Sequence, residues 1–132
     1  MQAADLSSSV GLVMLARTKA LLSTQPDASN PRGLLSDILH AAIELLSIED
    51  NDFAWSSWTD QRQAVEEVSA LLSQLAADKL PDRGDVAVLF APTGPIKEVS
   101  ISSGWGETFL RLAERYDYAE KLLWPQRDGQ AG

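Results

Sequence analysis

The sequence contains no cysteine, a single histidine and no long apolar run. The lack of cysteine excludes disulfide bonds, thiolate nucleophiles, iron–sulfur clusters and thiolate-ligated zinc. A zinc site built on His40 would need carboxylates for its other protein ligands, an uncommon arrangement, so we predict neither a metal nor a cofactor. No stretch approaches the roughly 18 consecutive apolar residues of a membrane span. The short apolar stretch 10–16 follows Asp5 and serines rather than a basic segment, so we predict a cytoplasmic protein without a secretory signal or membrane contact.

Basic residues are also scarce, with 11 Lys and Arg against 19 Asp and Glu and a net charge of −8. Residues 49–80 supply most of the excess, because they hold seven carboxylates and only two basic side chains, a net charge of −5. Nucleic-acid binding needs a basic face that displaces counterions from phosphates, and the sequence offers none. An acidic surface instead favours a basic protein partner.

The apolar periodicity predicts three helices in the first two-thirds of the chain. They span residues 6–23, residues 33–48, and a segment that starts near Ser57 or Thr59 and ends before Pro81. The second is apolar around much of its circumference, which predicts a central, buried position. At 132 residues the chain fits one domain, placed at 1–125, with 126–132 as a flexible C-terminal tail.

The last third of the sequence predicts two strands and a long helix. Residues 86–91 form a continuous apolar run, residues 92–95 read Pro-Thr-Gly-Pro, and residues 96–102 alternate apolar with polar side chains. These patterns predict a β-hairpin, followed by a helix over 104–124. Two strands alone are marginal, so either helices must cover them or a third strand, from residues 53–57 or from a second subunit, must pair with them. The predicted fold class is therefore α+β: three helices, a hairpin and a closing helix.

The motifs that could carry a catalytic or ligand-binding activity are all incomplete. His40 lies mid-helix among apolar residues, which is typical of a partly buried histidine bonded locally. The acidic run 49–52 lacks the glycine and the glutamate of a calcium loop. Residues 102–104 lack the G-x-S-x-G frame of a nucleophile elbow, and residues 92–97 lack the spacing of a phosphate-binding loop. This favours a non-enzymatic role.

Two tryptophans within the acidic middle segment form the main candidate site. Tryptophan is enriched at binding hot spots, and neighbouring carboxylates would steer a basic protein towards it. The competing interpretation places both rings over the hydrophobic core between helices. The first interpretation predicts an interaction protein, of which an immunity protein or antitoxin that neutralises a cationic toxin is the concrete form. The predicted partner-binding residues are Asp50, Asp52, Trp55, Trp58, Asp60, Glu66 and Glu67.

Two further functional hypotheses remain open from the sequence. The chain could bind a small molecule, or act on one, in a pocket between the predicted hairpin and the last helix. The wall of that pocket would consist of Thr93, Lys97, Ser103 and Trp105. Alternatively, the chain could form a homodimer through the hairpin edge or through its apolar first helix.

Overall fold

A computed structural model of the chain describes residues 15–125. Within that range the chain forms six helices and no strand. Of the first predicted helix only the part from residue 16 is described, and the predicted tail 126–132 lies outside the described residues. The helices are α1 (Ala16–Ser23), α2 (Pro31–Leu46), α3 (Gln61–Ala76), α4 (Arg83–Phe90), α5 (Pro95–Ser103) and α6 (Gly106–Leu123).

Helix α2 lies at the centre of the fold. It starts where the Asn30 side chain accepts a hydrogen bond from the Gly33 amide at 3.1 Å, with Pro31 in the first turn. It packs against α1, α3 and α6, which agrees with the central position predicted from its apolar circumference. Its fully buried residues are Leu35, Ile38, Leu39, Ala41, Ala42, Leu45 and Leu46.

The first predicted strand, residues 86–91, is wrong, because this run belongs to helix α4. Val86, Leu89 and Phe90 are buried at helical spacing, whereas Val88 between them is 52% exposed. An apolar run of this length does not distinguish a buried strand from a buried helix. Asp85 in the first turn is a local signal for the helix, since a carboxylate is favourable at the positive end of the helix dipole.

The second predicted strand, residues 96–102, is also wrong and forms most of helix α5. Gly94 is its N-cap, Pro95 occupies the first turn, and Gly104 ends the helix in the left-handed region with φ of 90°. Val99 is fully buried and Ile101 is 62% exposed, so the two side chains point in different directions.

Residues 53–57, proposed as a third strand, form turns and bends in an irregular segment. No hairpin and no sheet occur within residues 15–125, so the predicted α+β class is corrected to an all-helical fold over the described range. Where the apolar run and the alternating pattern predicted a sheet, the described helices pack against one another, chiefly around α2.

Helices α4 and α6 are joined by an aromatic stack and an ion pair. The rings of Phe90 and Tyr116 stack with centroids 4.8 Å apart. Arg83 Nη1 lies 2.7 Å from Glu120 Oε2, and both side chains are largely buried. The Tyr116 hydroxyl donates to the same carboxylate oxygen at 3.3 Å. Burial, reinforced by the charge of Glu120, raises the pKa of Tyr116, so the phenol stays protonated as a donor.

Helix α1 is held at both ends by side chains from distant parts of the chain. At its start the Glu44 carboxylate of α2 accepts from the Arg17 amide at 2.9 Å and from the Thr18 amide at 2.8 Å. The Thr18 hydroxyl donates to the same carboxylate at 3.0 Å. At its end, side chains of α6 donate to backbone carbonyls, Arg111 to Leu22 at 3.0 Å and Arg115 to Thr24 at 2.9 Å. Side chains thus satisfy backbone groups that a helix leaves unpaired at its ends.

We expect Glu44→Ala to destabilise the protein by about 2 kcal/mol, because a part-buried carboxylate that caps a helix leaves amide donors unpaired when removed. Guanidinium chloride unfolding followed by circular dichroism measures this effect. Asp37→Ala is the matched control, since Asp37 is exposed on the same helix. Equal free energies of unfolding for the two variants would show that the Glu44 contacts contribute nothing.

Candidate functional site

The α2–α3 loop, residues 47–60, carries the candidate site and is ordered by its own side chains. The side-chain amide of Asn51 donates a hydrogen bond from Nδ2 to the Leu45 carbonyl oxygen at 2.7 Å. The Asp52 carboxylate accepts from the Ala54 amide at 2.9 Å, which closes an Asx turn. The Ser56 hydroxyl donates to the Phe53 carbonyl at 2.9 Å. These bonds fix the loop without regular secondary structure.

The loop is also anchored to the corner between α5 and α6. The Asp52 amide donates to Ser103 Oγ at 2.8 Å, and Trp105 Nε1 donates to Asn51 Oδ1 at 2.9 Å. The sequence assigned Ser103 and Trp105 to a separate small-molecule site. In the structure both residues hold the α2–α3 loop in place. Two of the four residues predicted for the small-molecule site therefore support the loop that carries the candidate partner-binding site.

The two candidate tryptophans occupy opposite environments. Trp55 is 73% exposed, the highest exposure among the large apolar side chains of residues 15–125. Trp58 is 3% exposed, and its indole N–H donates to Glu67 Oε1 at 2.9 Å. Trp55 is therefore available to a partner, whereas Trp58 lies in the core, as the competing interpretation of the sequence proposed for both rings.

The carboxylates of the candidate site make different kinds of contact. Asp60 is the N-cap of α3 and accepts from the Gln63 amide at 3.0 Å. Glu66 pairs with Arg62 one turn earlier at 3.1 Å, with both side chains largely exposed. Such an exposed pair contributes little to stability. Glu67 supports Trp58, as described above. Asp50 is exposed and makes no hydrogen bond or ion pair to another described residue.

The other two residues of the alternative small-molecule site lie in the turn between α4 and α5 and on α5. Thr93 is exposed in the turn between α4 and α5, and Lys97 is half-buried on α5. Four cavities formed by residues 15–125 have linings that do not include Thr93, Lys97, Ser103 or Trp105. The helical course of residues 95–103 removes the hairpin on which that pocket was based.

His40 lies beside a groove between α2 and α3 that the sequence analysis did not predict. The groove has a volume of about 660 Å³. His40 Nδ1 lies 2.9 Å from the Ser36 carbonyl oxygen. Because that oxygen only accepts, Nδ1 carries the proton in the neutral ring and Nε2 is the free acceptor. Predicting the groove would have required knowing which faces of α2 and α3 meet. Its other lining residues include Arg32, Ser69, Leu72 and Ser73.

The described residues contain no group of three or more His, Asp or Glu side chains that could hold a metal ion. Within 15–125, no helix has both the length and the apolar character needed to cross a membrane. Comparisons with protein-family models, with curated protein sequences and with solved structures find no match to this chain.

Proposed function

We propose that this chain is a non-enzymatic, cytoplasmic protein-interaction domain that docks a basic protein through the α2–α3 loop. The observation that carries the proposal is the 73% exposure of Trp55 on a loop fixed by side-chain hydrogen bonds. Covering a large, water-exposed aromatic ring with a partner lowers the free energy of the complex. A loop held by hydrogen bonds loses little conformational entropy on binding, so little of this favourable free energy is offset.

The charges around Trp55 support a basic partner. Asp50 and Asp52 are exposed on the same loop, and the stretch 49–80 carries a net charge of −5. Carboxylates at the edge of an interface raise the association rate of a cationic protein. We place the docking surface on Asp50, Asp52 and Trp55. Of the other candidate residues, Asp60 caps α3 and Glu67 accepts the indole N–H of the buried Trp58. Neutralisation of a cationic toxin, as by an immunity protein or antitoxin, is a concrete function of this kind.

Affinity capture from a lysate of the source organism tests the proposal. We expect Trp55→Ala combined with Asp52→Asn to weaken partner binding at least about tenfold, as for residues of a binding hot spot. Asparagine can keep the Asx turn at position 52 while removing the charge. Binding should also weaken with salt, because the Debye length falls from about 10 Å at 0.1 M to about 3 Å at 1 M.

The matched control is Val88→Ala combined with Asp85→Asn. This pair also removes one exposed apolar side chain and one exposed carboxylate, but on α4. Circular dichroism confirms that both double variants are folded. A partner retained equally by the wild type and by the Trp55/Asp52 variant would remove the α2–α3 loop from the interface. Binding that is insensitive to salt would contradict the charge argument.

A further inference from the structure

A cavity of about 500 Å³ lies between α1, the loop 24–30 and the first half of α2. Its volume is within the range of about 300–1,000 Å³ that small-molecule sites occupy. Among the described residues, neither the α2–α3 loop nor α6 contributes to its lining, so the cavity is separate from the proposed docking surface. A ligand bound here would leave Trp55 free.

Both long walls of the cavity are helical. The α1 wall includes Arg17, Leu21 and Thr24, and the α2 wall includes Leu34 and Asp37. Within each wall these residues are three or four positions apart, so they share one face of their helix. The α2 carboxylate that accepts from the first amides of α1 holds the two helices together. Side chains on packed helices are positioned more precisely than side chains on loops.

The cavity has an apolar part to which each helix contributes one buried leucine. Leu21 of α1 is 7% exposed, and Leu34 of α2 is 5% exposed. An apolar group of a ligand that packs against these two side chains is removed from water, which lowers the free energy of the complex. The lining therefore favours a ligand with an apolar part.

Two side chains of opposite charge line the same cavity without pairing. Arg17 and Asp37 are both exposed, and neither forms an ion pair with another described residue. The guanidinium group of an arginine donates two parallel hydrogen bonds to a carboxylate, and the carboxylate of an aspartate accepts hydrogen bonds from an ammonium group. A ligand that carries both a carboxylate and an ammonium group therefore matches both side chains.

The charges around the cavity do not favour a ligand with a net charge. Three carboxylates and three guanidinium groups line the cavity or bond to the backbone at the two ends of α1. They belong to Asp27, Asp37, Glu44, Arg17, Arg111 and Arg115. A guanidinium group that donates to a neutral carbonyl keeps its charge, so the two sets balance. A ligand of zero net charge fits this balance, and its direct contacts determine whether it binds.

We propose that the α1–α2 cavity binds a free α-amino acid with an apolar side chain. Its carboxylate would lie on Arg17, its ammonium group on Asp37, and its side chain over Leu21 and Leu34. This inference goes beyond the proposed function, because it requires neither the α2–α3 loop nor a protein partner. A simple amine or a simple carboxylic acid fits less well, since either one would leave one of the two charged side chains without a partner.

Isothermal titration calorimetry of the full chain with leucine tests the proposal, and three analogues each remove one of its groups. Leucinamide lacks the carboxylate, N-acetylleucine lacks the ammonium group, and glycine lacks the apolar side chain. We expect leucine to bind at least about tenfold more tightly than each analogue. A hydrogen bond to a charged group and the burial of a leucine side chain each contribute enough free energy for that ratio.

Two variants assign the charged contacts to their residues. Arg17→Gln should weaken leucine binding about tenfold and abolish the preference for leucine over leucinamide, because the carboxylate has lost its charged partner. Asp37→Asn should likewise abolish the preference for leucine over N-acetylleucine. The matched controls are Arg62→Gln on α3 and Asp85→Asn on α4, which remove the same charges from exposed positions outside the cavity. Both controls should keep the wild-type affinities, and circular dichroism verifies the fold of each variant.

The outcomes also separate this inference from the proposed function. An absence of saturable leucine binding at concentrations up to about 10 mM would overturn the inference. Leucine affinities that stay unchanged in Arg17→Gln and Asp37→Asn would overturn it as well, because the ligand would then lie elsewhere. Equal affinities for leucine and leucinamide would contradict the carboxylate contact on which the assignment depends. The Trp55/Asp52 double variant should bind leucine as the wild type does, so the failure of either proposal leaves the other intact.

Discussion

Gly94→Ala is expected to destabilise the protein by about 3 kcal/mol, at the upper end of the usual cost of overpacking. A Cβ atom at this position would clash with the carbonyl oxygen of Val88, so the backbones of α4 and α5 would have to separate. The φ of Gly94 is −84°, which alanine adopts without strain, so the contact alone accounts for the effect. Urea unfolding monitored by circular dichroism measures the free energy.

Gly84→Ala is the matched control and should change stability in the opposite direction. Gly84 lies in the first turn of α4, and an added Cβ would meet no atom within 4 Å. Alanine should stabilise the helix there by about 0.5–1 kcal/mol, because glycine loses more conformational freedom on folding. If both substitutions changed the free energy of unfolding by the same amount, the close approach at Gly94 would be refuted.

Phe109→Ala is expected to have the largest effect, a destabilisation of about 3–5 kcal/mol. Phe109 is 1% exposed and is among the largest fully buried side chains of the described residues. Its loss removes buried apolar surface and leaves a cavity that the helices packed against α6 can only partly fill. Differential scanning calorimetry and chemical unfolding both measure this change.

Leu110→Ala tests the same argument one residue away. Leu110 is 53% exposed, so truncation removes little buried surface and leaves no cavity. We expect a change in the free energy of unfolding within about 0.5 kcal/mol, as for ordinary surface substitutions. A cost at Leu110 comparable to that at Phe109 would mean that the exposed face of α6 is covered by protein in solution.

The helical part of the fold was predictable where apolar spacing and capping residues agreed. For α2, the periodic leucines and the polar loop before Pro31 predicted a helix within two residues of its observed ends. For α4 and α5, the continuous apolar run 86–91 and the alternation over 96–102 predicted strands, and the Pro-Thr-Gly-Pro segment resembled a hairpin turn. Pro95 is instead the first residue of a helix, a position that proline favours as much as a turn.

The site was predictable in composition but not in arrangement. The sequence places Trp55 and Trp58 three residues apart in one acidic segment, and nothing local distinguishes the exposed ring from the buried one. Their difference arises from packing against α3, where Glu67 accepts the Trp58 indole N–H. The anchoring of Asp52 to Ser103 joins residues 51 positions apart, which depends on the tertiary fold.

The capping of α1 by Arg111 and Arg115 has a consequence for synthesis of the chain on the ribosome. These residues follow the carbonyls that they bind, Leu22 and Thr24, by 89 and 91 positions. At a translation rate of about 5–20 residues per second, Arg111 and Arg115 are synthesised on the order of ten seconds after the end of α1. Water must satisfy the Leu22 and Thr24 carbonyls during that interval. The first described helix therefore reaches its final contacts only when the last one emerges from the ribosome.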